Sequence, residues 1–292
     1  MQPLLATAIE SWDDVKLPVF ASPKLDGIRC LTDVIKAKTR SWKEVPNVYA
    51  QDKMSAFGLH RFDGELIVGD PTDPHCYNHT SSGIMSRGGT PDFTLWVFDT
   101  WGTDPSMPFH YRLEVIRTFI LAHQNPRLKL LEQRWIDNLA ELQAYEAQKV
   151  AEGFEGIMIR DPEGVYKYGR STVKEGILNK VKRFVDSEAT VVGYKEGLTN
   201  ANEATEDAFG RTERSSHKDN MVPRDTLGAL ILKHSDFEDT FDCGSGFDDV
   251  QRAEAWAERF GNLIGRTATF KYQASGMKDK PRFPIFKGWR YD

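Results

Sequence analysis

Cysteine is scarce in this sequence, and long hydrophobic runs are missing. The three cysteines are far apart, so they match neither a metal-binding spacing nor a disulfide framework, and they are typical of a reducing compartment. No apolar stretch approaches the ~18 residues of a membrane-spanning helix. The first residues also lack the basic and apolar segments of a signal peptide. These absences predict a cytoplasmic protein without a membrane partner.

An overall excess of positive charge is also missing. The 292 residues carry a formal net charge of −5, which by itself argues weakly against a nucleic-acid partner. The charge is uneven, however, because residues 165–184 hold six basic side chains and one acid, and residues 261–292 hold seven and two. Residues 236–258 are the reverse, with eight acids and one arginine. The average therefore conceals two basic segments.

The periodicity of the chain indicates two successive patterns. Short strand-like runs bounded by turn residues fill the first third, and two amphipathic helices follow at residues 111–124 and 137–153. After a break near residues 185–187, short strands return with one helix at residues 248–261. We therefore expect domains at residues 1–185 and 186–292, and the second pattern suits a small OB-fold β-barrel.

One tract does not fit either pattern. Residues 197–226 are polar and too long for a plain connection, so they form either a functional insertion that helps to close around a partner or a mobile one without function.

The segment PKLDGIR, at residues 23–29, places Lys24 two residues before an Asp-Gly pair. A lysine amine is a nucleophile only in its neutral form, so a catalytic lysine needs burial or nearby positive charge. Asp-Gly is also a favourable hairpin turn, which would leave Lys24 as ordinary surface charge. The segment alone does not decide between these interpretations.

Four further segments carry reactive or binding side chains in a fixed order. DGEL carries Glu65, WVFDT carries Phe98, and FEGIMIR carries Glu155. GILNKVKRF carries Lys180 and Lys182, which share one face if the segment is extended. Each has an ordinary explanation on its own, as a solvated carboxylate, a core ring or a surface lysine pair.

Together these segments resemble the motifs of the covalent nucleotidyltransferase superfamily, which contains ATP-dependent DNA ligases, RNA ligases and mRNA capping enzymes. Lys24, Asp26, Gly27 and Arg29 match its K-x-D-G-x-R motif, and TRSW with Arg40 resembles the next. The resemblance covers essentially the whole chain and is closest to small phage-type DNA ligases, of which the bacteriophage T7 enzyme is one. It implies an α+β fold: a nucleotidyltransferase (adenylation) domain with antiparallel sheets and flanking helices, then a C-terminal OB-fold β-barrel.

The resemblance also implies how ATP is used. Lys24 would attack the α-phosphate and carry AMP covalently. Lys180 and Lys182 would stabilise the negative charge on the transferring phosphoryl group, as such groups require. Glu65 would bind the ribose hydroxyls, and Phe98 would stack on adenine.

Metal and DNA contacts follow in the same way. Glu155 and, second to it, Asp26 would hold Mg²⁺, a cation that prefers oxygen ligands. Arg29 and Arg40 would hold the 5′-phosphate of a nick, with Arg29 also counted among the nucleotide-binding residues. Basic side chains of the C-terminal segment, interleaved with aromatic ones, would contact duplex phosphates: Lys278, Lys280, Arg282 and Arg290. An ordinary strand with alternating faces is the alternative for this segment.

Two positions depart from the family pattern. Ser22 stands where many ligases have a glutamate that helps to recognise adenine, which weakens the preference for ATP over GTP slightly. Arg290 and Asp292 resemble the last motif, R-x-D, without the lysine that usually follows it.

The resulting hypothesis is an ATP- and Mg²⁺-dependent DNA ligase. It would seal nicks between a 3′-hydroxyl and a 5′-phosphate in duplex DNA, as a monomer. The alternatives are an RNA ligase or a capping-type guanylyltransferase with the same lysine chemistry, and an inactive nucleic-acid clamp that keeps the fold.

Overall fold

Separate hydrophobic cores divide the chain into two units. The structure is a computed structural model that describes residues 2–33, 36–55, 60–102, 104–274, 277 and 279–290. The units are Met1–Lys182 and Arg183–Asp292, so the division falls a few residues before residue 185. Mainly antiparallel sheets with flanking helices make the protein α+β, as expected.

The first unit contains strands β1–β12 and helices α1–α4. The strands are Leu4–Leu5, Thr7–Ala8, Val19–Pro23, Ile28–Thr32, Ala37–Thr39, Phe62–Val68, Phe93–Thr100, Leu128–Leu130, Arg134–Ile136, Gly156–Arg160, Gly169–Arg170 and Leu178–Lys182. The helices are Val48–Ser55, Cys76–Ile84, Phe109–His123 and Leu139–Ala151, with a 3-10 turn at Trp12–Asp14.

Two five-stranded sheets organise this unit. Sheet I has the strand order β2-β12-β10-β3-β9, and sheet II has the order β5-β4-β6-β7-β8. The strands β2–β12 and β7–β8 pair in parallel. Side chains alternate between the two faces of sheet II along β7. Phe93, Leu95 and Val97 are buried in the core on one face, and Trp96 and Phe98 are half-buried on the other. On this second face, Trp96 and Phe98 pack against a smaller cluster of buried side chains.

Helix α4 confirms the helix predicted at residues 137–153. Asn138 is the N-cap and its side chain accepts a hydrogen bond from the backbone N–H of Glu141 at 2.8 Å. The chain leaves the helix through Gly153, whose φ of +101° favours glycine.

Helices α1 and α2 were not predicted. In α2, Asn, Thr, Ser and Gly dominate the composition and oppose helix formation in isolation. Burial of Cys76, Thr80 and Ile84 at helical spacing explains why α2 forms.

The second unit contains strands β13–β19 and helix α5. The strands are Val185–Asn200, Ala204–Glu206, Thr212–Arg214, Met221–Lys233, Phe241–Cys243, Thr267–Gln273 and Arg282–Trp289; α5 is Asp249–Ala257, and 3-10 turns lie at Lys218–Asn220 and Glu258–Phe260. The main sheet has the order β17-β16-β13-β18-β19 and is antiparallel throughout. Asp248 and Gln251 form a capping box at the start of α5.

The polar tract at residues 197–226 begins and ends as extensions of two barrel strands. β13 and β16 stay paired as far as Asn200 opposite Met221, and the small hairpin β14–β15 projects between them. The tract is therefore built from strand pairs. In the described part of the chain, no helix combines the length and apolar character needed to cross a membrane.

Candidate active site

A cavity of about 250 Å³ lies in the first unit, lined by side chains of both sheets. Its lining includes seven residues singled out from the sequence: Lys24, Arg29, Arg40, Glu65, Phe98, Lys180 and Lys182. Ser22 lines it as well. Residues scattered over most of the unit's sequence therefore meet at one place.

The backbone around Lys24 is fixed by two close approaches. The N–H of Lys24 donates to the carbonyl of Gly156 at 2.9 Å, and the N–H of Glu155 donates back to the carbonyl of Lys24 at 3.3 Å. A Cβ at Gly27 would lie 2.3 Å from the carbonyl oxygen of Leu66, so only glycine fits there. The Asp-Gly pair thus serves the packing of the turn against sheet II.

Glu155 links the candidate nucleophile to the second lysine of the K-x-K pair. Its two carboxylate oxygens accept from the ammonium groups of Lys24 and Lys182, and its side chain is only 2% exposed. Burial would raise the pKa of Glu155, but the two ammonium groups outweigh it and lower the pKa to about 2. The carboxylate is therefore ionised at any physiological pH.

Lys180 and Lys182 project from β12 toward the cavity. In the pairing with β10 they stand opposite Met158 and Gly156, on the same face of sheet I. Burial lowers the pKa of Lys180, and the charges of Lys182 and Lys24 lower it further. Burial and the charge of Lys24 likewise lower the pKa of Lys182. The site therefore concentrates positive charge where a polyphosphate would need it.

Glu65 stands opposite Arg29 in the β4–β6 pairing. Burial raises the pKa of Glu65 to about 7, although the charges of Lys24 and Arg29 oppose the shift. This carboxyl group therefore changes its charge close to neutral pH.

Arg29 is held by a partner that the sequence did not reveal. Its Nε and Nη2 donate to the two carboxylate oxygens of buried Asp63, each at 2.6 Å, and Nη2 also donates to the carbonyl of Leu4 at 2.9 Å. Burial would lower the pKa of Arg29, but the charge of Asp63 outweighs it and raises the pKa. Its Cζ also lies 5.0 Å from the centre of the Phe98 ring. The guanidinium group is therefore always charged and firmly oriented.

Arg40 and Asp26 lie at the edges of this arrangement. Arg40 is exposed, in the turn after β5, where Trp42 has a φ of +63°. Asp26 is half-buried and does not line the cavity. Its negative charge raises the pKa of Lys182, which partly offsets the effects of burial and of Lys24. Both are thus near the site without being buried in it.

Of the basic residues predicted to bind DNA in the C-terminal segment, Lys280 and Arg290 are exposed and Arg282 is half-buried. Arg290 pairs with Glu188 at 2.5 Å, and Lys280 pairs with Asp239 at 3.4 Å. Arg282 begins β19 and lies 5.2 Å from the Phe283 ring. Lys278 and Asp292, also named from the sequence, lie outside the described residues.

Two family descriptions account for most of the chain. The description "ATP dependent DNA ligase domain" matches residues 3–182, which include the whole cavity. The chain belongs to the ATP-dependent DNA ligase family. A second description, "DNA ligase OB-like domain", matches residues 220–290 of this ligase and confirms the expected OB-fold.

Individual relatives agree with this assignment. A DNA ligase of Haemophilus influenzae is 26% identical over 272 residues, covering 92% of this chain and 85% of that protein. The crystal structure of the Chlorella virus DNA ligase–adenylate is 30% identical with a TM-score of 0.58, and 99% of each chain is covered. A structure from a study of Lig E DNA ligases shares the fold, with a TM-score of 0.76 at 24% identity and 99% of each chain covered.

The protein is therefore an ATP-dependent DNA ligase, with DNA as its substrate and adenylate chemistry at its centre. The RNA-ligase and capping alternatives are not favoured, because the relatives named above are DNA ligases.

The sequence missed several residues of the ligase cavity. Met158, Arg160 and Arg170 also line it, and Arg160 is buried with an ion pair to Asp99. Met158 and Arg160 could have been found, because they alternate with core residues on β10 after Glu155. The contact between Arg29 and Asp63 had no signal in the sequence, since it depends on how two strands are aligned.

Proposed function

We propose that this ligase works through a lysyl-AMP intermediate on Lys24. The observation that carries the proposal is the position of its amine, at the cavity wall and ion-paired with a carboxylate, Glu155, that it shares with Lys182. After losing its proton to solvent, the amine would attack the α-phosphorus of ATP, forming a P–N bond as the P–O bond to pyrophosphate breaks. Lys180 and Lys182 would balance the negative charge of the transition state.

The opposite wall of the cavity would hold the nucleoside. The ring of Phe98 is half-buried and lines the cavity, where it would stack on adenine. Glu65, one strand away, would accept hydrogen bonds from the ribose hydroxyls in its ionised form. Ser22 lines the same cavity and is small enough to leave base recognition to backbone groups.

We propose that a magnesium ion arrives at this site with the nucleotide. Within the described residues, no three His, Cys, Asp or Glu side chains converge as a self-sufficient metal site. Mg²⁺ is commonly held by one or two carboxylates together with substrate phosphates, and Glu155, with Asp26 second to it, offers carboxylates of that kind. When bound, the ion would neutralise phosphate charge during adenylylation.

The DNA steps would use the two arginines of the first motifs. Arg29 and Arg40 would bind the 5′-phosphate at the nick, which then receives AMP from Lys24. The adjacent 3′-hydroxyl attacks the adenylated phosphate, the strand is sealed and AMP is released. Arg29 is already oriented for this task by Asp63, whereas Arg40 is exposed and would order on the DNA.

The second unit would contribute phosphate contacts along the duplex. Lys280, Arg282 and Arg290, together with Lys278, would supply the charge. The exposed pairs of Lys280 and Arg290 cost little to exchange for phosphates. The extended strands and hairpin at residues 197–226 would add further contacts. Removal of this tract without any loss of affinity for a nick would exclude that part.

Assembly and compartment complete the proposal. We propose that the ligase acts as a monomer in the cytoplasm, of a host cell if its source is a virus. The three cysteines, all free and buried, support a reducing environment. We place the functional boundary between the domains at residue 185.

The decisive experiment combines intact-mass and peptide analysis with sealing assays. After incubation with ATP and Mg²⁺, one added AMP should be found on Lys24. The enzyme should seal a nicked DNA duplex only when Mg²⁺ is present, and should seal a nicked RNA duplex much more slowly. Sealing without any adenylate on Lys24 would refute the proposal.

A further inference from the structure

A buried tyrosine touches the carboxylate that orients Arg29. The hydroxyl of Tyr166 donates to Oδ2 of Asp63 at 2.6 Å, and the same oxygen accepts from Nη2 of Arg29 at 2.6 Å. Asp63 is fully buried and Tyr166 is only 4% exposed. Asp63 thus joins a side chain of the cavity wall to the segment that follows β10.

The remaining donors of Arg29 show what this arrangement leaves available. A guanidinium group has five N–H bonds. Nε and Nη2 are used by Asp63 and by the carbonyl of Leu4. Nη1 donates to no acceptor among the residues that the structure describes, and Arg29 lines the cavity. One edge of the guanidinium group is therefore fixed, and Nη1 remains free to bind an anion.

The angle of that free edge depends on the orientation of the carboxylate. A carboxylate rotates about its last side-chain bond with little preference, so its direction is set by its hydrogen-bond partners. Two of its bonds come from Arg29, whose Nη2 is held in turn by the carbonyl of Leu4. The hydroxyl of Tyr166 comes from a different segment and adds a third side-chain bond to the carboxylate, which limits this rotation further.

We propose that Tyr166 is a positioning residue for the DNA step: through Asp63 it fixes the angle at which Arg29 presents Nη1 to the 5′-phosphate of the nick. The inference rests on the role proposed above for Arg29. It separates the reaction steps, because the attack of Lys24 on the α-phosphate depends on Lys180 and Lys182 and does not need this angle of Nη1.

The test is the substitution Tyr166→Phe, which removes only the hydroxyl. The rate and the KM for ATP of self-adenylylation should stay within about twofold. Transfer of AMP from adenylated enzyme to a nicked duplex, measured in a single turnover, should slow about tenfold, the scale of one hydrogen bond to a charged group.

Tyr145→Phe is the matched control. Tyr145 is only 2% exposed, and its hydroxyl has no hydrogen-bond partner among the described residues. Self-adenylylation, AMP transfer and the melting temperature should therefore be unchanged in this variant. Equal slowing of AMP transfer by both substitutions would overturn the inference, and so would equal slowing of both steps in Tyr166→Phe.

Arg29→Ala separates this inference from the role on which it rests. If Arg29→Ala slows AMP transfer and Tyr166→Phe does not, the positioning role is wrong while the role of Arg29 stands. If Arg29→Ala transfers AMP at the normal rate, the role of Arg29 fails first. The double variant should be no slower than Arg29→Ala alone, because a hydroxyl that acts only through Arg29 has no further effect; an additive loss would contradict the inference.

Discussion

The two units of this ligase use charged side chains in opposite ways. In the first unit the important carboxylates are buried: the side chain of Glu155 is 2% exposed between two lysines, and that of Asp99 is 0% exposed between Arg112 and Arg160. In the second unit, pairs such as Lys195–Asp242 have both side chains about half exposed. These ion pairs of the first unit therefore lie in the protein interior, whereas those of the second unit are exposed to water.

That difference teaches what each unit can do. Buried charges are weakly screened, hold a fixed geometry and shift each other's pKa values, which are the conditions that phosphoryl transfer requires. Exposed pairs are screened by salt and contribute about 0–1 kcal/mol each, so their basic members can exchange carboxylates for DNA phosphates. We therefore assign the chemistry to the first unit and salt-dependent DNA contact to the second.

The largest effect is expected from Lys24→Ala. It removes the amine that would carry AMP, so adenylylation and sealing should both fall to background. The check is transfer of label from ATP to protein that has been denatured after the reaction. Lys195→Ala, on the surface of the second unit, should label normally; residual labelling of Lys24→Ala would mean that another side chain is the nucleophile.

The next effect contrasts a buried carboxylate with an exposed one. Asp99→Asn leaves Arg112 and Arg160 without their ionised partner in the core, which should cost about 3–5 kcal/mol of unfolding free energy. Asp242→Asn, whose partner is Lys195, should cost about 1 kcal/mol or less. Both values come from denaturant titration, and similar losses would erase the contrast between the units.

Arg40→Ala should affect one step of the reaction and leave another unchanged. Because Arg40 is exposed at the cavity edge and is proposed to bind the nick phosphate, self-adenylylation should be normal. Transfer of AMP to the nick should slow about tenfold to a hundredfold, as expected for a lost charge-assisted contact. Single-turnover assays of the two steps provide the measurement, and equal losses in both would count against this assignment.

A smaller effect should appear in the pH dependence of ATP binding. The pKa of Glu65 is raised to about 7, so the group is mostly protonated below that pH and ionised above it. Only the carboxylate accepts strong hydrogen bonds from both ribose hydroxyls, so the KM for ATP should fall severalfold as the pH rises from about 6 to 8. Glu65→Gln should show a flat profile over this range, and a wild-type profile that is equally flat would remove Glu65 from the ribose site.

The smallest effect concerns salt. Arg290→Ala and Lys280→Ala should each weaken binding to a nicked duplex and reduce the slope of log K against log salt by about 1. Self-adenylylation, which takes place in the first unit, should not change. A slope that stays constant in both variants would show that these side chains face away from the DNA.

Local pattern predicted many of the elements. Helices α3, α4 and α5 carry clear periodicity, and α4 and α5 begin at Asn138 and Asp248 caps. Helix α2 was missed because its composition opposes a helix, and it forms only where Cys76, Thr80 and Ile84 are buried. The tract at residues 197–226 gave no periodic signal, although paired strands make up most of it.

The sequence by itself determined the order of the motifs, and with it the family, because covalent adenylate chemistry needs a lysine, carboxylates and further cations whose identities are written in the chain. The tertiary structure decided how these groups pair. That Glu155 is shared by Lys24 and Lys182, and that Asp63 holds both Arg29 and Tyr166, follows from the alignment of strands distant in sequence. Burial then sets their charge states, because the energy of an ionised group depends on its surroundings.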